Sequence, residues 1–458
     1  MNPTYLRSTN PATEEILESF EFEEKDIIID KLNNAMVAFQ EWRRVPINHR
    51  AEMLRKVGDQ LTTEQESCAR LITIEMGKPI NESRAEIEKC AKVCHYYADN
   101  GKHFLKDEQL KTEASSCFIS HEPIGVLLAI MPWNFPFWQF FRFAAPALMA
   151  GNVILMKHAP NVPQCARKII QLFLKADWEF GVNQNIYASE EMVDGLIADH
   201  RVAAVTLTGS TKAGSIVGRQ CGHYIKKCVL ELGGSDPFIV CDDSNLNAAT
   251  DVAVKSRLLN NGQSCIAAKR FLVSETVMDT FLDLVKEKVL NLKMGNPLDE
   301  DTDLGPMARY DLKEELLKQV VDSIGGGAEL LDLGEQHLRA KGWYYNPQIL
   351  LNVKPGMPAF DQEIFGPVFA ITSFKDEEEA LRLANLSDYG LGASIWTTDI
   401  EKGQRYARKI QSGCVFVNEL VRSDQRIPFG GMKKSGFGRE LSHLGIKEFV
   451  NEKTIWVG

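Results

Sequence analysis

The chain has no surplus of positive charge. Its formal net charge is −10, and its Lys and Arg residues lie in short, scattered clusters. That removes the electrostatic footprint needed to hold nucleic acid or an anionic membrane, so neither is expected as a partner. The opening stretch MNPTYLRSTNPATEEILESF has no basic segment leading into an apolar one, and reads as lacking a secretory signal. No apolar run is both long and unbroken. The longest, residues 124–156, is interrupted by Pro132, Pro136, Arg142, Pro146 and Gly151, which suits a buried core better than a membrane span. Ten cysteines occur with no CxxC pair and no regular spacing, as expected of free thiols in a reducing cytoplasm. His121, His158 and His223 stand apart from one another, so no metal site is expected. Internal repeats and low-complexity linkers are missing too. Both common nucleotide fingerprints fail: there is no GxGxxG, and after Gly209 and Gly214 come Ser215 and Ile216, where a P-loop needs Lys and Ser/Thr.

What remains is an ordinary globular composition, 44% hydrophobic and 25% charged, over 458 residues, enough for two or three domains. The first hundred residues carry apolar positions at helical spacing and are expected to be helical throughout. HFLKDEQLKTEASSCFISHEPIG alternates and is polar, as in a protruding hairpin. From Ile124 the texture changes. IGVLLAI, NVILMK, RVAAVTLTG, CVLEL and PFIV read as strands apolar on both faces, separated by helical stretches such as FWQFFRFAAPALMAG. Strand–helix alternation of that kind implies a parallel sheet covered on both sides, with ligands at the carboxyl ends of its strands. A second alternating set runs from about Arg270 to Val417, implying a second α/β unit.

Four short stretches could carry chemistry. TLTGSTKAGSIVG can present backbone N–H groups and a hydroxyl to a phosphate, or can be a plain strand-to-helix turn. In LLNNGQSCIAAKR, Cys265 lies among small and amide residues ahead of two cations, a setting for either a reactive or an inert thiol. CVLELGG puts Glu231 at a strand end before Gly233 and Gly234, fit for a buried site or a solvent-facing loop. PWNFP holds Asn134 between prolines, where its amide can serve an oxyanion or merely form the turn.

Taken together, PWNFP, TGSTKAG, LELGG, NNGQSC, EIFGPV and PFGGMKKSGFGRE resemble, in order and approximate spacing, the NAD(P)-dependent aldehyde dehydrogenase superfamily. The resemblance runs from NPATEE near the start to NEKTIWV at the end. It implies a Rossmann-like cofactor domain over 1–102 and 123–232, a catalytic α/β domain over 233–430, and an oligomerisation element from 103–122 and 444–458. A homodimer or homotetramer is implied, since an exposed strand edge is a liability unless paired. The resemblance also assigns roles. Cys265 is the nucleophile that forms a thiohemiacetal and then a thioester, Asn134 an oxyanion donor, and Glu231 the base that activates the deacylating water. Gly209, Ser210 and Gly214 match the pyrophosphate turn, Lys157 the adenosine-ribose lysine, Trp133 and Leu232 neighbours of the nicotinamide half, and Glu363 with Phe365 the nicotinamide-ribose contacts. Pro160 replaces a glutamate that many NAD-specific members carry, which leaves NAD or NADP open, with Lys157 and His158 as groups that could favour a 2′-phosphate.

Within the superfamily, KHAP, ELGGSDPFIV and GQSCIAAKR most resemble the shorter bacterial succinate-semialdehyde dehydrogenases. The expected substrate is then an aldehyde with a distal carboxylate, gripped by Arg142, with Ser423 a further contact and Arg257 another candidate cation. Ala267 stands where a second cysteine would create a redox pair. Rival readings are dehydrogenases of glutarate semialdehyde or γ-aminobutyraldehyde and, outside the family, a cysteine amidase, which would leave TGSTKAG and EIFGPV without a purpose.

Overall fold

A computed structural model of the protein describes residues 5–334 and 341–458. The amino-terminal region departs from the all-helical expectation. Tyr5–Thr9 and Ile16–Glu21 pair as an antiparallel hairpin before the helices Lys25–Trp42, Ile47–Thr63, Gln65–Met76 and Ile80–Phe104 begin. The hairpin is short and its second strand is largely exposed, so apolar periodicity, which reports burial, carries little trace of it.

The apolar strands build a six-stranded sheet. Its order is Gly436–Phe437, Lys227–Glu231, Val202–Thr208, Val126–Ile130, Val153–Lys157, Asn183–Asn185. All neighbours are parallel except Gly436–Phe437, which the chain's return adds antiparallel to the edge. From Val126–Ile130 the chain winds outward through Val153–Lys157 to Asn183–Asn185, then comes back to lay Val202–Thr208 on the other side. That reversal opens a crevice at the carboxyl ends of two adjacent strands, the usual ligand site of such sheets. Two-sided cover explains the runs: Val126, Leu127, Leu128, Ala129, Val153, Ile154, Leu155 and Met156 are all fully buried.

A seven-stranded sheet is built around Ala268–Ser274, Asp236–Val240, Val368–Phe374 and Gly392–Trp396, parallel apart from the short Glu329–Leu330 at one edge. A three-stranded antiparallel sheet joins Val450–Val457 to Ser116–Pro123 and Glu108–Gln109. The chain is thus two α/β units plus a small sheet made from segments more than three hundred residues apart. Among the described residues, no helix is long and apolar enough to cross a membrane and no cluster of His, Cys, Asp and Glu could hold a metal ion.

Candidate active site

The carboxyl ends of the first sheet face the amino ends of strands in the second. Trp133 and Asn134 follow strand Val126–Ile130, Gly209 and Ser210 follow Val202–Thr208, and Glu231 ends Lys227–Glu231. From the other side, Cys265 precedes Ala268–Ser274, while Glu363 and Phe365 precede Val368–Phe374. Two cavities open between them, of about 440 and 640 Å³. Among the described residues, Gln139 and Cys265 alone line both.

The sequence NNGQSC makes local sense as a way of holding that cysteine. Asn260, Asn261 and Gly262 take left-handed backbone conformations in succession, with φ of 57°, 56° and 77°. Asparagine tolerates that region better than most residues, and at Gly262 a Cβ would strike the backbone of Gly366. The amides then fasten the turn. Asn260 Nδ2 donates to the carbonyls of Asn134 (2.7 Å) and Gln263 (2.9 Å), and Asn261 Nδ2 to those of Pro306 (2.9 Å) and Gly77 (3.1 Å). Asn134 Nδ2 donates to the Gln263 carbonyl at 3.1 Å, which locks its rotamer beside the cysteine and leaves its second N–H for a ligand.

Burial pushes the Cys265 thiol up to about 12, only partly opposed by the positive charges of Arg142 and Lys269. The thiol is therefore held protonated at neutral pH and needs a proton acceptor, rather than being a ready-made thiolate. Glu231 is 2% exposed, and neither of its carboxylate oxygens has a hydrogen-bond partner among the described residues. Burial and the neighbouring Glu440 carboxylate hold its proton well above the ordinary carboxylate range. An orphaned carboxyl of this kind is costly unless something it serves is meant to enter.

The smaller cavity is lined by Trp133, Asn134, Gly209, Ser210, Glu231, Leu232, Cys265, Glu363 and Phe365 among others. Ser210 caps helix Thr211–His223, its hydroxyl accepting from Ala213 N at 3.2 Å. Gly214 packs its bare backbone on Leu232. Glu363 accepts from Gly234 N (3.0 Å), pairs with Lys269 (3.3 Å), and sits so close to Gly233 that a Cβ there would collide with its carboxylate. Trp133 and Phe365 meet edge to face at 5.8 Å. Lys157 and Pro160 lie beyond the lining, half-buried and exposed respectively. His158 is not available to a phosphate. Its Nδ1 accepts from Ala159 N, its Nε2 meets the Pro136 carbonyl at 2.8 Å, and burial lowers its pKa to about 4, so it is a neutral staple under the PWNFP turn.

The larger cavity is walled by helix faces. Glu82, Ala85, Glu86 and Lys89 come from Ile80–Phe104, Trp138, Gln139 and Arg142 from Trp138–Ala150, and Asp251, Val254, Lys255 and Leu258 from Leu246–Leu258. Arg142 does line it, but not as an unpaired cation. It is 1% exposed, forms an ion pair with Glu440, and lies 4.7 Å from the centroid of Phe429, with Nη2 left without a hydrogen-bond partner among the described residues. The buried guanidinium thus already has its anion inside the protein.

Arg257 corrects the sequence-based expectation: it lines neither cavity. Its guanidinium donates to the carbonyls of Gly262 (2.6 Å), Ala268 (2.9 Å) and Ile364 (3.3 Å), tying the cysteine turn to the segment that carries Glu363. Ser423 does reach the larger cavity and receives hydrogen bonds from Lys89 Nζ (2.8 Å) and Trp138 Nε1 (3.1 Å). Lys89, Gln139 and Glu440 were not legible as site residues. Glu440 sits inside PFGGMKKSGFGRE, a signal that could have found it; Lys89 and Gln139 sit on long helices with no local motif.

The sequence profile of the aldehyde dehydrogenase family matches residues 2–455. The chain is 48% identical over 453 residues to the succinate semialdehyde dehydrogenase [NAD(P)+] Sad of Escherichia coli strain K12, covering 99% of this chain and 98% of that protein. It is 47% identical over 452 residues to a probable succinate-semialdehyde dehydrogenase [NADP(+)] of a Synechocystis species, covering 99% of each. Its fold superposes on the crystal structure of the Streptococcus pyogenes succinic semialdehyde dehydrogenase in complex with NADP+ with a TM-score of 0.96, at 36% identity over 99% of each chain. A cysteine held where two cavities meet, an orphaned glutamate in the wall of the smaller one and these full-length matches agree: the chain belongs to the aldehyde dehydrogenase family.

Proposed function

We propose that this enzyme oxidises succinate semialdehyde to succinate with NAD or NADP, with Cys265 as the nucleophile. The observation that carries the reading is Cys265 itself, the one thiol that lines both cavities. One cavity then serves the dinucleotide and the other the aldehyde. The succinate semialdehyde reading is supported by the names of the full-length relatives and by the cations in the aldehyde-side wall.

The smaller cavity fits a dinucleotide. The Gly209–Ser210 turn at a helix N-terminus suits a pyrophosphate, Glu363 and the close backbone of Gly233 suit a ribose, and the Trp133–Phe365 pair offers flat apolar walls. Lys157 keeps the adenosine-ribose role that the family resemblance gives it, and Pro160 offers no carboxylate to repel a 2′-phosphate. Bound NAD or NADP supplies a hydride acceptor. Cys265 passes its proton to water and its sulfur bonds to the aldehyde carbon. The free N–H of Asn134 and the backbone N–H of Cys265 stabilise the resulting oxyanion. After oxidation the acyl group stays on Cys265 as a thioester. Glu231, in its ionised form, takes a proton from water, whose oxygen attacks the thioester and releases the carboxylic acid and the thiol.

The division into 1–102 with 123–232, 233–430, and 103–122 with 444–458 is kept as the domain reading. The ten unpaired thiols fit a reducing cytoplasm, and the open edge of Val450–Val457, with Trp456 half-exposed, fits a homodimer or homotetramer. The test is a panel of aldehydes assayed with NAD and with NADP. Succinate semialdehyde should give the highest kcat/KM, well above butanal. Equal efficiencies on the two would overturn the substrate reading, and full activity in Cys265→Ser would overturn the nucleophile.

A further inference from the structure

Among the described residues, four cations line the larger cavity: Lys89, Arg142, Lys255 and Arg422. Arg142 already has Glu440 and Arg422 has Glu419. Lys255 is exposed, where water screens its charge. Lys89 differs from all three. It is half-buried, and no carboxylate forms an ion pair with it among the described residues. The carboxylate one turn before it, Glu86, is spent elsewhere. Glu86 pairs with Lys78 through Oε2, and its Oε1 accepts from the N–H groups of Phe137 and Trp138 at 2.9 Å each, capping helix Trp138–Ala150.

Lys89 is held in place. Its ammonium lies 4.0 Å from the centroid of Trp138 and donates to Ser423 Oγ at 2.8 Å. Trp138 Nε1 donates to the same oxygen at 3.1 Å. Two donors on one hydroxyl occupy both of its lone pairs, which leaves the Ser423 hydrogen free to donate. The ammonium keeps two N–H groups of its own. Burial and the positive charge of Arg142 lower its pKa to about 8, only partly opposed by the carboxylates of Glu86 and Asp424.

We propose that Lys89, acting with the Ser423 hydroxyl, binds the distal carboxylate of the aldehyde and sets the preference for ω-carboxy aldehydes. The inference rests on the reading of succinate semialdehyde as substrate. A carboxylate entering the cavity would accept from Lys89 Nζ with one oxygen and from Ser423 Oγ with the other. Arg142, neutralised by Glu440, would add at most its spare Nη2. The ligand's charge would then meet a half-buried cation that forms no ion pair among the described residues, whereas an ammonium aldehyde would meet like charge.

The experiment compares wild type, Lys89→Met and Lys89→Arg on succinate semialdehyde and on butanal, with saturating NADP. In Lys89→Met, kcat/KM for succinate semialdehyde should fall by ~30-fold or more, chiefly through KM, while that for butanal stays within about threefold. Lys89→Arg should keep most of the preference. If Lys89→Met loses both aldehydes equally, or keeps the wild-type preference, the inference is overturned. If wild type itself does not favour succinate semialdehyde over butanal, the substrate reading fails, a result visible before any variant is made. Thermal unfolding and cofactor titration establish that the variant is folded; should Lys89→Met not fold, Lys89→Gln is read in its place by the same criteria.

Discussion

The two cavities that meet at Cys265 are made from different kinds of chain. The smaller one is built mostly from turns: Pro132–Asn134, Thr208–Lys212 and Glu231–Gly233 each supply a contiguous run to its wall and Gln362, Glu363 and Phe365 a further turn, while Leu312, Glu315, Leu316 and Gln319 of helix Tyr310–Gly325 add a helix face. The larger one draws about half of its wall from helix faces, with residues spaced three or four apart on Ile80–Phe104, Trp138–Ala150 and Leu246–Leu258. The first offers backbone N–H groups and close approach, which suit a polyanionic ligand. The second offers side chains on rigid supports, which suit discrimination between small aldehydes. Between them, the buried cluster Glu231–Glu440–Arg142 ties chemistry to the aldehyde side by charge.

Perturbing that cluster is the strongest way to break the division. Glu231→Gln should lower steady-state turnover by ~10²–10⁴, the usual loss of a general base, while a first burst of reduced cofactor survives. Rapid mixing of enzyme and aldehyde checks this, and an absent burst would instead make Glu231 the base for the thiol. Arg142→Leu is the next test. It strips Glu440 of its buried counter-ion beside Glu231, and breaking such a pair costs ~3–5 kcal/mol. Turnover of butanal and of succinate semialdehyde should therefore both fall, ~10-fold or more. A loss confined to succinate semialdehyde would return the distal carboxylate to Arg142.

The cysteine's own environment predicts a pH dependence. With the thiol pushed up to about 12, its thiolate fraction should rise about tenfold per pH unit through the neutral and mildly alkaline range. Alkylation of the cofactor-free enzyme by iodoacetamide should follow with no plateau below pH 9, and a plateau near neutrality would mean the thiol is already ionised. The smallest effect is expected at the rim of the cofactor side. Pro160→Glu should shift the NAD to NADP ratio of kcat/KM towards NAD by several-fold, through repulsion of the 2′-phosphate. Because Pro160 is exposed, solvent screens part of that effect.

The contrast also explains how much could be read from the sequence. Much of the smaller cavity was legible because several of its wall positions demand a residue type at one place in a short run. The left-handed NNG before Cys265, the Ser210 cap and the glycine under Glu363 are requirements of backbone geometry, and they appear as motifs. Strand Val126–Ile130 and its neighbours were legible for a related reason, since two-sided burial leaves only apolar residues to choose from. The aldehyde side was legible only in part. Arg142 stood out as a charge among aromatics, yet its partner Glu440 lies 298 positions away in sequence, so the anion that satisfies it could not be seen.

Arg257 shows the same limit from the opposite direction. As a residue type near Cys265 it qualified as a substrate cation, and only the fold turns it inward onto three backbone carbonyls. Lys89 carries no local signal at all, being one of several lysines on a long amphipathic helix. Its meaning comes from Ser423 and Trp138, brought beside it from 334 and 49 positions away. Two-sided burial is written into short stretches, so the α/β architecture followed from the chain alone, whereas the cysteine and the phosphate turn were singled out by the resemblance of their stretches to a known family. Charge compensation is a property of space rather than of sequence. Which of the cations near the site are satisfied, and which is left for a ligand, was therefore decided by the packing of helices that only the folded protein brings together.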